Sequence, residues 1–225
     1  MNRLVASLPR ETYLRVVSEL EPVELAAGST VVENDERALH AYFPEDCVFS
    51  VQRTTRDGGS VEFGIVGREG VLGIGASLDG NRMHGRGITA RAGRALRMPA
   101  ELLRDLYRRD DRFRSNLVSF YSAFDTQVAQ RSICHRVHTT EQHLCCWILL
   151  MTDRSDGADL EATHEVIGGL LGARREGVTL AIMRLRDDGL LRSARSRLTI
   201  LDRAALEARS CECYGVIRQA YVSAR

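Results

Sequence analysis

Residues Leu170–Leu191 read LLGARREGVTLAIMRLRDDGLL. Two apolar segments meet at Gly172, and beyond it Val178, Ile182 and Leu185 recur at helical spacing. A pair of helices folded on a tight glycine turn would bury these residues whatever its purpose. A plain core hairpin does not need Arg174, Arg175 and Glu176 at the head of its second helix. Upstream, Thr163 is placed to cap a first helix, with Glu165 in its first turn where the helix dipole favours an acid. Val166, Ile167, Leu170 and Leu171 form that helix's expected apolar face. Downstream, Gly189 ends the second helix, and a basic loop SARSR separates LLR from the strand-like LTILD. Helix, tight turn, helix and basic two-stranded flap is the layout of a winged helix-turn-helix, in which the second helix enters the DNA major groove.

Charge supports this placement. The chain has 225 residues, and its 31 basic residues, all arginine, nearly cancel 30 acids, so nothing global draws it to a polyanion. Between Thr163 and Leu201, however, seven arginines face four acids. An excess confined to one unit is the electrostatic footprint of a nucleic-acid reader.

Ahead of this unit, DRSDGAD (Asp153–Asp159) reads as a polar break. Residues of about 100–152 read as helix. Phe113, Leu117, Phe120, Phe124 and Val128 fall on one narrow stripe, which predicts a seam pairing with a second copy of the chain. A following helix from about Thr140 to Asp153 buries Leu144, Trp147, Ile148 and Met151. Before residue 100 the texture is different. Short β-branched or apolar runs (STVVE, CVFSVQR, SVEFGIV, GITARA) are punctuated by glycines, and Asp57-Gly58-Gly59 makes a hairpin turn. That pattern predicts an antiparallel sandwich or barrel. Residues 1–20 carry Leu4, Leu8, Leu14, Val17 and Leu20 at near-helical spacing.

Several classes are disfavoured. The N-terminus lacks the apolar stretch and cleavage site of a signal peptide, and the longest apolar run, around Leu144–Met151, is far below the ~20 residues of a membrane span. A cytoplasmic protein without a membrane partner is expected. Its six cysteines are then reduced thiols. Neither Cys145-Cys146 nor Cys211-Glu212-Cys213 has the Cys-x2–4-Cys spacing of structural metal sites, so neither a metal nor another cofactor is expected. His135, His138, His143 and His164 have no triad partner nearby in sequence. No P-loop, nucleophile elbow or carboxylate pair suggests an enzyme.

Taken together, VEFGIVGREGVLG, the long helix, HEVIGGLLGARREGVTLAIMRLRDDGLL and the tail LTILDRAALEARSCECY resemble the Crp/Fnr family of bacterial transcription regulators over nearly the whole chain. The resemblance implies an α+β fold: an N-terminal antiparallel, jelly-roll-like β-roll of the cyclic-nucleotide-binding type (residues 1–105), long dimerisation and hinge helices (106–152) and a winged helix-turn-helix (153–225). It implies a homodimer on double-stranded DNA with a (pseudo)palindromic site, and contact with RNA polymerase. Arg175 and Glu176 match the family's base-reading pair, and the chemistry agrees, since arginine donates twice to guanine and glutamate accepts from cytosine. Arg174 and Thr179 then lie at the groove edge, and Arg195 and Arg197 on the wing touch phosphate. Arg174 replaces the family's small capping hydroxyl, and Leu180 stands where a further base-contacting arginine often lies.

The effector pocket departs further. Ile74, after Gly73, takes the place of the ribose-binding glutamate, and Arg86-Gly87 is the nearest match to the phosphate clamp. Cyclic AMP is therefore not expected as a tight ligand, and any small-molecule effector is left unnamed by the sequence. The family's oxygen-sensing branch gathers cluster cysteines near its N-terminus, whereas the first cysteine here is Cys47, so an iron–sulfur cluster of that kind is not expected. The competing reading is a ligand- or redox-sensing protein that acts through protein partners, with a degenerate helix-turn-helix.

Overall fold

The computed structural model describes the chain apart from Asp57, Gly80, Asn81, Asp156 and Arg225, and apart from the side chains of Ala76, Ser77 and Asp79. Asp57 of the expected hairpin turn and Asp156 of the polar break thus lie outside the described residues. Two short helices, α1 (Arg3–Ala6) and α2 (Arg10–Val17), open the chain. Pro9 divides them, because proline cannot donate to a continuing helix. Leu4, Leu8 and Leu20 are buried, while Leu14 and Val17 face outward.

Strands β1 (Glu21–Leu25), β2 (Thr30–Val32), β3 (His40–Pro44), β4 (Val48–Thr54) and β5 (Ser60–Val66) precede a helix α3 (Ile74–Asp79), and β6 (Arg86–Arg91) and β7 (Gly93–Pro99) complete the roll. They form two antiparallel sheets, ordered β1-β7-β3 and β2-β6-β4-β5. The β4–β5 hairpin closes as its glycines require: Gly58 has φ +88°, and the Thr55 amide donates to the Gly59 carbonyl. Phe43, Phe49, Ala95 and Met98 fill the space between the sheets.

Three helices follow: α4 (Ala100–Arg109), α5 (Asp111–Val137) and α6 (Thr140–Asp153). Asp110 caps α5 by accepting from the Phe113 amide, and Thr139 and Gln142 cap α6 reciprocally. The 27 residues of α5 span roughly 40 Å.

The aromatic part of the expected α5 seam is covered by the chain itself, whereas Val128, further along it, is half-buried. Phe113, Leu117 and Phe120 lie in the same core as Phe43 and Met98, with Phe124 half-buried beside them. Periodicity told which side is buried but not against what, and the partner is the chain's own β-roll. Two glycines of the VEFGIVGREG run make room for it. A Cβ on Gly64 would stand 2.5 Å from the Phe124 ring, and one on Gly70 would overlap the Phe120 ring. The outward face of α5 carries other apolar residues instead, among them Val118, Tyr121, Ile133 and Val137.

A second core surrounds α6. It contains the α6 residues from Leu144 to Met151, including both Cys145 and Cys146, and the buried faces of the C-terminal elements. These are β8 (Asp159–Glu161), α7 (His164–Leu171), α8 (Arg175–Asp187), β9 (Leu191–Ala194), β10 (Arg197–Ile200), α9 (Arg203–Arg209) and α10 (Glu212–Ser223). The wing has three strands rather than two, in the order β8-β10-β9. Among the described residues no helix is long and apolar enough to cross a membrane.

The β-roll and α5 are joined by a fully buried ion pair. Arg131 donates to the Glu62 carboxylate at 3.1 Å, with both side chains completely inaccessible. Ser50 donates to the other Glu62 oxygen at 2.5 Å, and Gln52 donates to Ser50. Burial pushes the Glu62 carboxyl up, opposed by the Arg131 charge and the Ser50 hydroxyl. Removing one member of such a pair strands the other charge. Arg131→Met is expected to cost about 3–5 kcal/mol in urea unfolding, and the double change Glu62→Leu with Arg131→Met to recover most of that loss.

Candidate nucleic-acid interface

The α7–α8 hairpin is built as its residue types dictate. Thr163 caps α7 by accepting from the Val166 amide at 3.2 Å. Gly172 ends it in the left-handed region, at φ +60°. The close packing of the turn also depends on Gly168, since a Cβ there would stand 2.9 Å from the Ala173 carbonyl oxygen. Ile167, Leu170 and Leu171 meet Val178, Ile182 and Leu185 in the C-terminal core. Val166, expected on that apolar face, is instead exposed.

With Val178, Ala181, Ile182 and Leu185 turned inward, the opposite side of α8 faces outward. Arg174, at its N-cap, Arg175 and Glu176, in its first turn, are all exposed. Arg174 supplies no capping hydrogen bond. Thr179 is half-buried and engaged: its hydroxyl donates to the Arg175 carbonyl and lies 2.9 Å from His164 Nδ1. Arg175 and Glu165 approach to only 4.0 Å, and both are open to solvent, so the guanidinium is loosely held. Leu180 and Met183 continue the outward face at 56% and 42% exposure. An apolar pair there is suited to thymine methyl groups. No motif marks Met183, and its place one turn past Leu180 is its only signal in the sequence.

The two wing arginines differ. Arg195 and Ser196 form the tip of the β9–β10 turn, with φ +46° and +66° at two non-glycine residues, the pattern of a type I′ hairpin. This presents Arg195 to solvent. Arg197 instead reaches across the sheet to Glu161 at 2.6 Å and approaches Asp159. Those two acids hold its proton more firmly still. Both come from β8, a strand that the sequence pattern did not announce. Behind the first turn of α8 lies a cleft of about 570 Å³, lined by Arg174, Glu176 and Gly177 on one side and by Cys134, His138 and His143 on the other.

In the β-roll, Gly73 at φ +91° leads into α3, and Ile74 is buried in the first core. Leu72 packs over Gly87, where a Cβ would lie 2.7 Å from it. Arg86 turns toward β2, donating to Thr30 at 2.6 Å and pairing with Glu33 at 3.3 Å. The four expected pocket residues are thus brought to neighbouring elements, but the guanidinium is occupied and the Ile74 position offers no acceptor to a ribose hydroxyl.

Two family models match this architecture: the cyclic nucleotide-binding domain over residues 22–110 and the Crp-like helix-turn-helix domain over residues 142–209. The chain belongs to the Crp/Fnr family of transcriptional regulators. Solved structures share the fold at low identity. FixK2 of Bradyrhizobium japonicum superposes with a TM-score of 0.73 at 15% identity, over 85% of this chain and 98% of that one. A Crp/Fnr-family regulator of Thermus thermophilus gives 0.68 at 20% identity, over 84% and 98%. The c-di-GMP-responsive global regulator CLP of Xanthomonas campestris gives 0.67 at 14%, over 86% and 100%. No curated protein matches the sequence significantly. Members of the Crp/Fnr family are DNA-binding transcription regulators and not enzymes.

The uncapped start of α8 has a measurable consequence. Arg174→Ser supplies the missing acceptor for an orphan amide of the first turn. The variant should gain about 1 kcal/mol in thermal or urea unfolding while losing affinity for DNA, because the charge is removed from the groove face.

Proposed function

We propose that the protein acts as a homodimer on a (pseudo)palindromic promoter site, each protomer placing α8 in the major groove. The observation carrying this reading is the outward face of α8, where Arg174, Arg175 and Glu176 stand exposed beside Leu180 and Met183 on a helix whose other side is core. Arg175 and Glu176 read bases, Arg174 and Thr179 border the groove, and Arg195 reaches phosphate from the wing tip. Arg197 contributes less, since it must first release Glu161. Contact with RNA polymerase and a cytoplasmic location are part of this reading, and kinship with transcriptional regulators supports both.

The dimer uses the outward face of α5, not the aromatic seam. Val118, Tyr121, Ile133 and Val137 are 53, 54, 41 and 70% exposed along that helix. Exposed apolar side chains scattered along a long helix that is otherwise polar on this side are suited to pairing with its own copy. Tyr121→Asp should convert dimer to monomer in sedimentation equilibrium, whereas a change confined to Phe113 should act on folding.

Purified protein is used to select bound genomic fragments, and the recovered site is then titrated by fluorescence anisotropy across salt. Arg175→Ala should lose about 1–3 kcal/mol on that site and relax its preference at one base pair. Arg195→Ala should weaken all DNA alike and reduce the salt slope by about 1. Equal loss by both variants on specific and random DNA would remove the assignment of α8 as reader. Cyclic AMP is not a tight ligand: with Ile74 in place of an acceptor and Arg86 held by Glu33, calorimetric titration should detect no micromolar binding.

A further inference from the structure

The end of α5 and the start of α10 come together as a cluster that neither cysteine pair announces alone. Cys134 and His138 lie one turn apart at the C-terminal end of α5. Cys211 is the N-cap of α10, and Cys213 lies in its first turn. The Cys134 and Cys211 sulfurs are 3.3 Å apart, and Cys213 Sγ lies 3.7 Å from His138 Nδ1. All four ligand atoms fall within 4.8 Å of one another, and the three cysteines are buried. A tetrahedral zinc ion, with Zn–S near 2.3 Å and Zn–N near 2.0 Å, needs its ligand atoms about 3.5–3.8 Å apart. The cluster needs only small adjustments to reach that spacing.

Two further features prepare these groups for a cation. His138 places its other nitrogen, Nε2, 3.2 Å from a Glu212 carboxylate oxygen. That contact keeps the proton on Nε2 and leaves Nδ1, the nitrogen facing Cys213, with a free lone pair, which is the usual carboxylate–histidine support of a metal ligand. Hydrogen bonding with the neighbouring cysteine sulfurs and with the Cys213 amide at the helix start lowers the Cys211 thiol from its ordinary range, against the opposing effect of burial. The neighbouring Cys134 and Cys213 thiols are pushed up. No cationic side chain lies among the four ligands.

We infer that Cys134, His138, Cys211 and Cys213 form a closed Cys3His site for a borderline-soft divalent cation, best matched by Zn²⁺. Three sulfurs and an imidazole select such an ion over Mg²⁺ or Ca²⁺, which take oxygen ligands. On binding, the metal replaces the remaining thiol protons, which leave to solvent, and no sulfur is oxidised. Four protein ligands leave no open position, so the site is structural. Occupied, it clamps α10 to the last turn of α5, on the wall of the cleft behind Arg174 and Glu176. The ligands escape spacing rules because Cys134 and Cys211 are 77 positions apart. The site stands whether or not α8 reads DNA, since its test measures metal alone.

The full chain, reduced and stripped by chelator under anaerobic conditions, is titrated with Co²⁺ as a spectroscopic probe and then with competing Zn²⁺. The expected result is one Co²⁺ per chain, with the intense visible bands of tetrahedral cobalt and a thiolate charge-transfer band, both abolished by Zn²⁺. Cys213→Ser and His138→Gln should each weaken binding at least tenfold, and Glu212→Gln about 10–100-fold, whereas Cys47→Ala, in the distant β-roll, should bind as the parent does. Circular dichroism establishes that each variant is folded. His138 and Glu212 lie at the rim of the site, so their variants test it even if a cysteine variant unfolds. Absence of stoichiometric uptake by the reduced chain, a weak octahedral spectrum, or unchanged binding in folded His138→Gln and Glu212→Gln would overturn the site. So would a Cys134–Cys211 disulfide on oxidation in a protein that takes up no metal when reduced.

Discussion

The Glu62–Arg131 ion pair fixes where the long helix lies, and much of the remaining architecture depends on that placement. Two opposite charges with no access to water are stable only when each keeps the other and the surrounding polar groups add hydrogen bonds. Here Ser50, itself held by Gln52 on the neighbouring strand, donates to Glu62, while Nε and Nη1 of Arg131 find no further partner among the described residues. Such a contact tolerates little sliding. A shift of α5 by one turn would leave a carboxylate in an apolar wall and a guanidinium against the core. Gln127, one turn before Arg131, adds a second fixed point by donating to the Ile65 carbonyl and to Tyr221. The buried groups contribute less as a source of net stability than as a constraint on register.

With its register fixed, α5 can serve two cores with one face. Its first half packs Phe113, Leu117 and Phe120 into the β-roll, and its last turns bring Cys134 to the core of the C-terminal unit. Aromatic burial supplies roughly 1.5–3 kcal/mol per side chain, and Gly64 and Gly70 are what allow the rings to approach so closely. The other side of the helix is thereby left uncovered, with Val118, Tyr121, Ile133 and Val137 exposed among polar neighbours such as Ser122 and Asp125.

The parts of this architecture that were legible in the sequence were those governed by local rules. The Thr163 cap, the left-handed Gly172 and the apolar spacing of Val178, Ile182 and Leu185 define the helix-turn-helix without tertiary information, and the outward Arg175 and Glu176 follow once those residues are buried. The rest depended on contacts between distant segments. A 3.6-residue period marks the seam of α5 but is silent about whether β-roll or second copy covers it. Arg197 reads as a free wing charge until β8 brings Glu161 beside it. Met183 carries no motif, and its outward place follows only once Ile182 and Leu185 take the inward face. The Arg86 step resembles a phosphate clamp in sequence, whereas Glu33, just past β2 and more than fifty residues earlier, pairs with its charge and Thr30 of β2 accepts a hydrogen bond from it.

The junction between sensor and reader has a weaker connection than the one that fixes α5. His135, one turn beyond Arg131, lies 3.2 Å from the Glu62 carbonyl through Nε2 and 3.2 Å from the Leu171 carbonyl through Nδ1. Burial and the nearby Arg131 charge hold this imidazole below its ordinary pKa and so favour the neutral ring. A neutral ring carries one N–H, and both of its neighbours are acceptors, so it can satisfy only one carbonyl at a time. The choice is consequential, because Leu171 ends α7 and is followed by Gly172, the pivot of the helix-turn-helix. His135 thus ties the Glu62 backbone in β5 and the turn after α7 to the same stretch of α5, and a single N–H is shared between two carbonyls where the Glu62–Arg131 pair beside it has charge on both sides.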